Sequence, residues 1–258
     1  MKKQEPIKAA QQFIQKRFSN CDGALLAGSI VRGEATETSD LDIVIFDQHI
    51  RSSYRESFID FGWNIEVFVH NLNSYLAFFK SDYERARPSL PRMVAEGILL
   101  KDNGVMESIK NEARELLAKG PEVWSENTIE LKRYFITDAL DDLIGCEDRA
   151  EGIFIVNTLA EIVSEFVLRT NQRWIGSSKW IIRALQDYDA DFAERFVEAF
   201  EAFYQLGDKS KIIHLVDDVL KPYGGRLFEG FSFRKREKEE KLDDIFYRKS
   251  DRHYTKYS

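Results

Sequence analysis

Apolar residues first recur at helical spacing. Ile7, Ala10, Phe13, Ile14 and Phe18 fall on one side of a 3.6-residue period, which predicts an amphipathic helix over 5–18. The period then changes. GALLAG (23–28) and LDIVIFD (41–47) are short apolar runs, and WNIEVFVH (63–70) alternates, so three strands are predicted. The stretch between the last two, with Arg51, Arg55 and Glu56, reads as polar and is given no element. Asn71 is placed to cap the helix that begins LNSYLAFF. PSLPRMVAEG reads as a proline-started helix stopped at Gly97, ILLKD as a further strand, and MESIKNEARELLAKG as a polar helix closing near Gly120.

From about Glu126 to Lys221 every apolar pattern has helical period. IELKRYFITDALDDLIG, GIFIVNTLAEIVSEFVLRT, SKWIIRALQDY, DFAERFVEAFEAFYQLG and KIIHLVDDVL predict five helices with short polar joints, the pattern of a bundle. The expected fold is therefore α+β: a mixed-sheet domain over 1–120, an α-helical bundle over 121–233 divided from it at Gly120-Pro121, and a charged tail over 234–258 read as a mobile or peripheral helix.

Composition narrows the classes. At 258 residues, with 43% hydrophobic and 13% aromatic positions, the chain can bury a substantial core and is not of disordered composition. The formal net charge of −7 disfavours general nucleic-acid binding and suits a cationic small substrate better. Cys21 and Cys146 have no metal-ligand spacing and read as reduced packing residues. The opening MKKQEPIKAAQQFIQKRF never reaches an apolar leader region, and no segment approaches a membrane span, so a cytoplasmic location is expected.

The chemistry concentrates in LLAGSIVRGEATETSDLDIVIF (25–46). Asp40 and Asp42 flank Leu41, and on a strand residues i and i+2 share a face. Leu41 and Ile43 then face the core while two like charges project together, an arrangement that calls for a cation between them. Oxygen-only ligands favour Mg²⁺, held by carboxylates and substrate phosphates. Glu66, between Ile65 and Val67, joins the aspartates if its strand pairs beside LDIVIF. At the other end, Gly28 permits a sharp turn, Ser29 is expected to cap the helix beginning SIVRGEA, and Arg32 can bond a phosphate. No GK[ST] follows Gly33 and no GxGxxG is present, so neither a Walker loop nor a dinucleotide fingerprint is available.

GS, then SDLD, then an isolated acid in an apolar strand resembles the DNA polymerase beta-like nucleotidyltransferase superfamily. The helical second half resembles that of the aminoglycoside nucleotidyltransferases. The resemblance implies that Gly28 and Ser29 hold a triphosphate and that Asp40, Asp42 and Glu66 hold two Mg²⁺ ions, with Glu66 alternatively the general base. By the same analogy Lys179, in the first turn of the helix capped by Ser177 or Ser178, contacts phosphate, while Trp180, Ile181 and Leu185 read as core. Asp138 and Asp142 share a helix face and are alternative acids for binding a cationic acceptor or activating its hydroxyl.

The implied activity is magnesium-dependent transfer of a nucleoside monophosphate from ATP or another nucleoside triphosphate to a hydroxyl of a small acceptor, an aminoglycoside suiting the acidic balance and an antibiotic-resistance role. The implied assembly is a monomer or homodimer. The rival readings are adenylylation of a partner protein and a nucleotide-binding module without turnover.

Overall fold

The structure, a computed structural model, describes residues 3–232, so the charged tail 234–258 lies outside the described residues. Helix α1 (Pro6–Arg17) starts where expected: the Glu5 carboxylate accepts from the amides of Ile7 and Lys8, and Pro6 occupies the first turn. There follow β1 (Gly23–Ala27), the single turn α2 (Gly28–Val31), β2 (Leu41–Phe46), β3 (Tyr54–Asp60), β4 (Trp63–His70), α3 (Ser74–Glu84), α4 (Ser89–Glu96), β5 (Ile98–Asp102) and α5 (Met106–Lys119). The sheet runs β3-β4-β2-β1-β5, with β2 and β4 parallel and every other pair antiparallel.

Strand β3 corrects the sequence reading, which left this stretch without an element. It is an edge strand with little burial, so its residues show no clean alternation. Its hairpin turn is also disguised. Phe61 and Gly62 both have positive φ (52° and 80°), the geometry of a two-residue hairpin turn, but the first position carries Phe in place of the usual Asn or Asp.

Alternation along the central strands sends side chains to two layers. Ala24, Leu26, Leu41, Ile43, Ile45, Ile65 and Val67 pack against Ala10, Phe13 and Ile14 of α1. Leu25, Ala27, Val44 and Phe46 pack on the other face against Tyr75 and Phe79 of α3, Val94 of α4 and Ile109 of α5. Asn71 is not the cap of α3, whose cap position is Asn73 with no side-chain cap bond; it shapes the entry turn instead, its Oδ1 accepting from the amides of Asn73 (2.9 Å) and Ser74 (2.7 Å). Asn71→Ala is expected to cost about 1 kcal/mol of stability in urea unfolding, the usual net value of such side-chain to backbone bonds. An unchanged midpoint would show that the chain enters α3 without it.

All five helices of the second half form: α6 (Glu126–Gly145), α7 (Arg149–Thr170), α8 (Lys179–Tyr188), α9 (Ala190–Leu206) and α10 (Ser210–Leu220), followed by a short 3-10 turn (Lys221–Tyr223). Their core gathers Ile136, Leu140, Val163, Phe166, Leu185, Phe200 and Val216, and reaches across to Ala86. The halves meet through backbone as well as side chains: the Ile175 amide donates to Ala86 O (2.9 Å) and the Trp174 indole to Leu117 O (3.0 Å). Cys21 is buried, and Cys146, half-buried at the end of α6, donates to Asp148 O; both are free thiols. No described helix is long and apolar enough to cross a membrane.

Candidate active site

The register of three strands builds the acidic centre. In the parallel pair β2–β4, Asp42 lies directly opposite Glu66, and in the antiparallel pair β1–β2 it lies opposite Ala27. Leu41 and Ile43 point into the α1 layer, so Asp42 falls on the other face, beside its register partner Ala27. Asp40 precedes β2 by one residue and turns to the same place. Each of the three half-buried residues offers a carboxylate oxygen, and these oxygens all lie within 4.8 Å of one another. Among the described residues this is the one such acidic grouping.

The electrostatics show what the grouping lacks. Burial, then the charges of Asp40 and Glu66, push the Asp42 carboxyl up from the ordinary aspartate range to about 6, and Arg32 and Arg55 offset only part of this. Three carboxylates with hard oxygen donors and unbalanced negative charge fit a divalent cation such as Mg²⁺. Arg55 was missed in the sequence because β3 was missed. From the edge strand its guanidinium pairs with Glu66 and lies 5.0 Å from the centre of the Phe68 ring.

Gly28 is required by close approach. Its φ is +77°, and a Cβ there would lie 2.9 Å from Asp42 Cγ and closer still to Oδ2. Ser29 corrects an expectation. The cap position of α2 is Ala27, with no side-chain cap bond, and Ser29 sits inside the turn. Its hydroxyl donates to Ser39 Oγ (3.2 Å), its carbonyl accepts from the Glu34 amide (2.9 Å), and Ser39 Oγ accepts from the Thr36 amide (2.8 Å). These bonds close the 32–40 loop and set the approach of Asp40. Lys3 braces the same loop from outside, donating to the carbonyls of Glu37 and Ser39.

Arg32 is half-buried and engaged by Glu34 (3.2 Å) and Glu96 (3.4 Å), with its guanidinium 4.8 Å from the centre of the Trp180 ring. Trp180, which the sequence pattern places in the core, is therefore not a core residue. It lines a cleft of about 630 Å³ between the halves, while Leu185 is buried and Ile181 packs partly on the bundle core. Lys179 is exposed at the first position of α8 and is not among the residues lining that cleft. Neither Ser177 nor Ser178 caps α8 through its hydroxyl; Ser178 instead takes a positive φ of 52°. Asp138 and Asp142 are exposed on α6, and Asp142 lines a second cleft with Asp141, Cys146 and Glu151, built only from the helical half. The structure does not bring either acid into the Asp40–Asp42–Glu66 group.

Residues 7–72, which span α1 through the end of β4, match the family described as a nucleotidyltransferase domain. No curated protein matches the chain. A solved structure described as a nucleotidyltransferase-like protein from Exiguobacterium sibiricum 255-15 is similar to it at 10% identity, over 83% of this chain and 73% of that one, with a TM-score of 0.47. The matched residues contain Gly28, Ser29, Arg32 and all three carboxylates, and the chain thus carries an N-terminal nucleotidyltransferase domain whose general chemistry is nucleotidyl transfer.

Proposed function

We propose that the protein is a magnesium-dependent enzyme that transfers a nucleoside monophosphate, with ATP as the favoured donor, to a hydroxyl of a small acceptor. The observation that carries this reading is the meeting of Asp40, Asp42 and Glu66 oxygens within 4.8 Å, directly against the Gly28 turn. In the transfer, the acceptor oxygen bonds the α-phosphorus. The bond from that phosphorus to the bridging β-phosphate oxygen breaks, and pyrophosphate leaves with the electron pair. Magnesium ions, held by Asp40, Asp42 and Glu66, would lower the acceptor hydroxyl's pKa and neutralise developing phosphate charge.

The chain's own residues orient the reactants. The Gly28–Ser29 turn lets phosphate approach the backbone, Arg32 offers it a guanidinium, and Arg55 holds Glu66 beside Asp42. Lys179 is a further phosphate contact by analogy with the aminoglycoside enzymes. Glu66 either completes the metal set or takes the hydroxyl proton. An aminoglycoside as that acceptor is supported by net charge and by the helical second half.

The test is pyrophosphate release from ATP with a panel of aminoglycosides and of neutral and anionic hydroxyl compounds, with Mg²⁺ and after chelation by EDTA. Release is expected only with metal and one class of acceptor. Release that continues unchanged in EDTA would overturn the metal-dependent reading.

A further inference from the structure

We infer that the interdomain cleft binds an anionic group carried by the acceptor, so that the acceptor is a phosphorylated or otherwise acidic hydroxyl compound and not a polycation. This rests on the nucleotidyl-transfer reading for the word acceptor, but the anion site itself stands on the cleft.

Three guanidiniums converge there on one indole. Arg32 comes from the end of α2, Arg92 from α4 and Arg183 from α8, and they lie 4.8, 5.4 and 4.8 Å from the centre of the Trp180 ring. All three are within cation–π range, so the ring pins like charges that would otherwise separate. Their partners are two shared carboxylates. Glu34 pairs with Arg32 (3.2 Å) and Arg183 (2.8 Å), and Glu96 pairs with Arg32 (3.4 Å) and Arg92 (3.9 Å).

The two signs are not held alike. The arginine side chains are 21%, 30% and 30% exposed and rest on Trp180 as well as on the carboxylates, whereas Glu34 and Glu96 are 36% and 38% exposed and are held through these same guanidiniums. The cations are the preorganised part and the carboxylates the displaceable part. An entering phosphate or carboxylate can take the guanidiniums in bidentate fashion while Glu34 and Glu96 swing to water. A polycation would have to displace arginines that the indole holds. Asp187 adds a third carboxylate to the lining and keeps the cleft near neutral until the anion arrives.

The position points to the acceptor and not to the triphosphate. Of the residues proposed to meet metal or triphosphate, only Arg32 lines the cleft; Gly28, Ser29, Asp40, Asp42 and Glu66 do not. The cleft is therefore a neighbouring compartment, joined to the acidic centre through Arg32, whose charge is felt at Asp42. Trp174 and Leu117 supply apolar wall for the uncharged part of the ligand.

The experiment is isothermal titration of the full chain with inorganic phosphate in metal-free buffer, for wild type, Arg92→Gln, Arg183→Gln and, as a control, Arg195→Gln on α9. Binding is expected in wild type and in the control, and at least tenfold weaker in each cleft variant. Circular dichroism checks that the variants are folded. Equal phosphate affinity in wild type and both cleft variants, or no binding at all, would overturn the anion site. Displacement of phosphate by ATP would assign the guanidiniums to the triphosphate tail and overturn the acceptor assignment. Because the titration needs neither metal nor turnover, its failure is distinct from absence of pyrophosphate release, which would instead remove the transferase reading.

Discussion

Asp42→Asn is expected to lower nucleotidyl transfer by at least about a thousandfold while making the metal-free protein more stable at pH 8. Both effects have one cause. Burial and the neighbouring acids raise the Asp42 carboxyl to about 6, so the folded state holds its proton more tightly than the unfolded chain does. The cost of ionising it is absent below about pH 4, grows as pH rises from about 4 to about 6, and is then constant; a shift of this size corresponds to about 3 kcal/mol. Asparagine removes that cost and with it this group's share of the fall in stability across the window. It also removes a charged oxygen that a divalent cation and the reacting phosphate both require, a loss worth several kcal/mol in the transition state. Thermal unfolding at pH 5 and pH 8, with and without Mg²⁺, separates the two effects. Wild type is expected to gain stability from Mg²⁺ by ligand linkage, and the variant to gain little. A variant that releases pyrophosphate at the wild-type rate would remove Asp42 from the chemistry.

Gly28→Ala is expected to lose both stability and transfer, for reasons independent of charge. At φ +77° an L side chain costs about 1–2 kcal/mol. The new methyl would also crowd the Asp42 carboxylate, which must rotate or carry β2 with it. A displacement on the order of 1 Å at the reacting centre costs about a hundredfold in rate. Denaturant titration reads the first loss and pyrophosphate release the second. Near-normal transfer in a folded Gly28→Ala protein would show that the acidic centre tolerates displacement, contrary to the role given to this contact.

The acidic centre was legible in the sequence because a strand has period 2. Asp40 and Asp42 must share a side if Leu41 and Ile43 are buried, and Glu66 between Ile65 and Val67 obeys the same rule. The five helices of the second half were legible for the corresponding reason, a sustained 3.6-residue period bounded by polar joints. Gly97 after α4 acts locally, within a few residues of the turn it ends, so it too could be read in advance.

Other features depend on partners that are distant along the chain. Strand β3 is seen to be a strand only when it is found against β4, since an edge strand has no buried face to impose alternation. Arg55 acquires its role through that pairing. Ser29 looked like a cap, but the turn begins one residue earlier and its hydroxyl serves the loop that delivers Asp40.

Local periodicity and short-range capping act within a few residues, so the amino-acid pattern specifies the element types other than β3, the sheet-then-helix order and the three carboxylates that meet. Only the packing of the halves makes Trp180 a cleft residue with Arg32, Arg92 and Arg183 around its ring. Those contacts join α2, α4 and α8, and the Arg183–Glu34 pair alone spans 149 positions. No periodic pattern records which solvent-facing charges will meet when two separately patterned halves pack together.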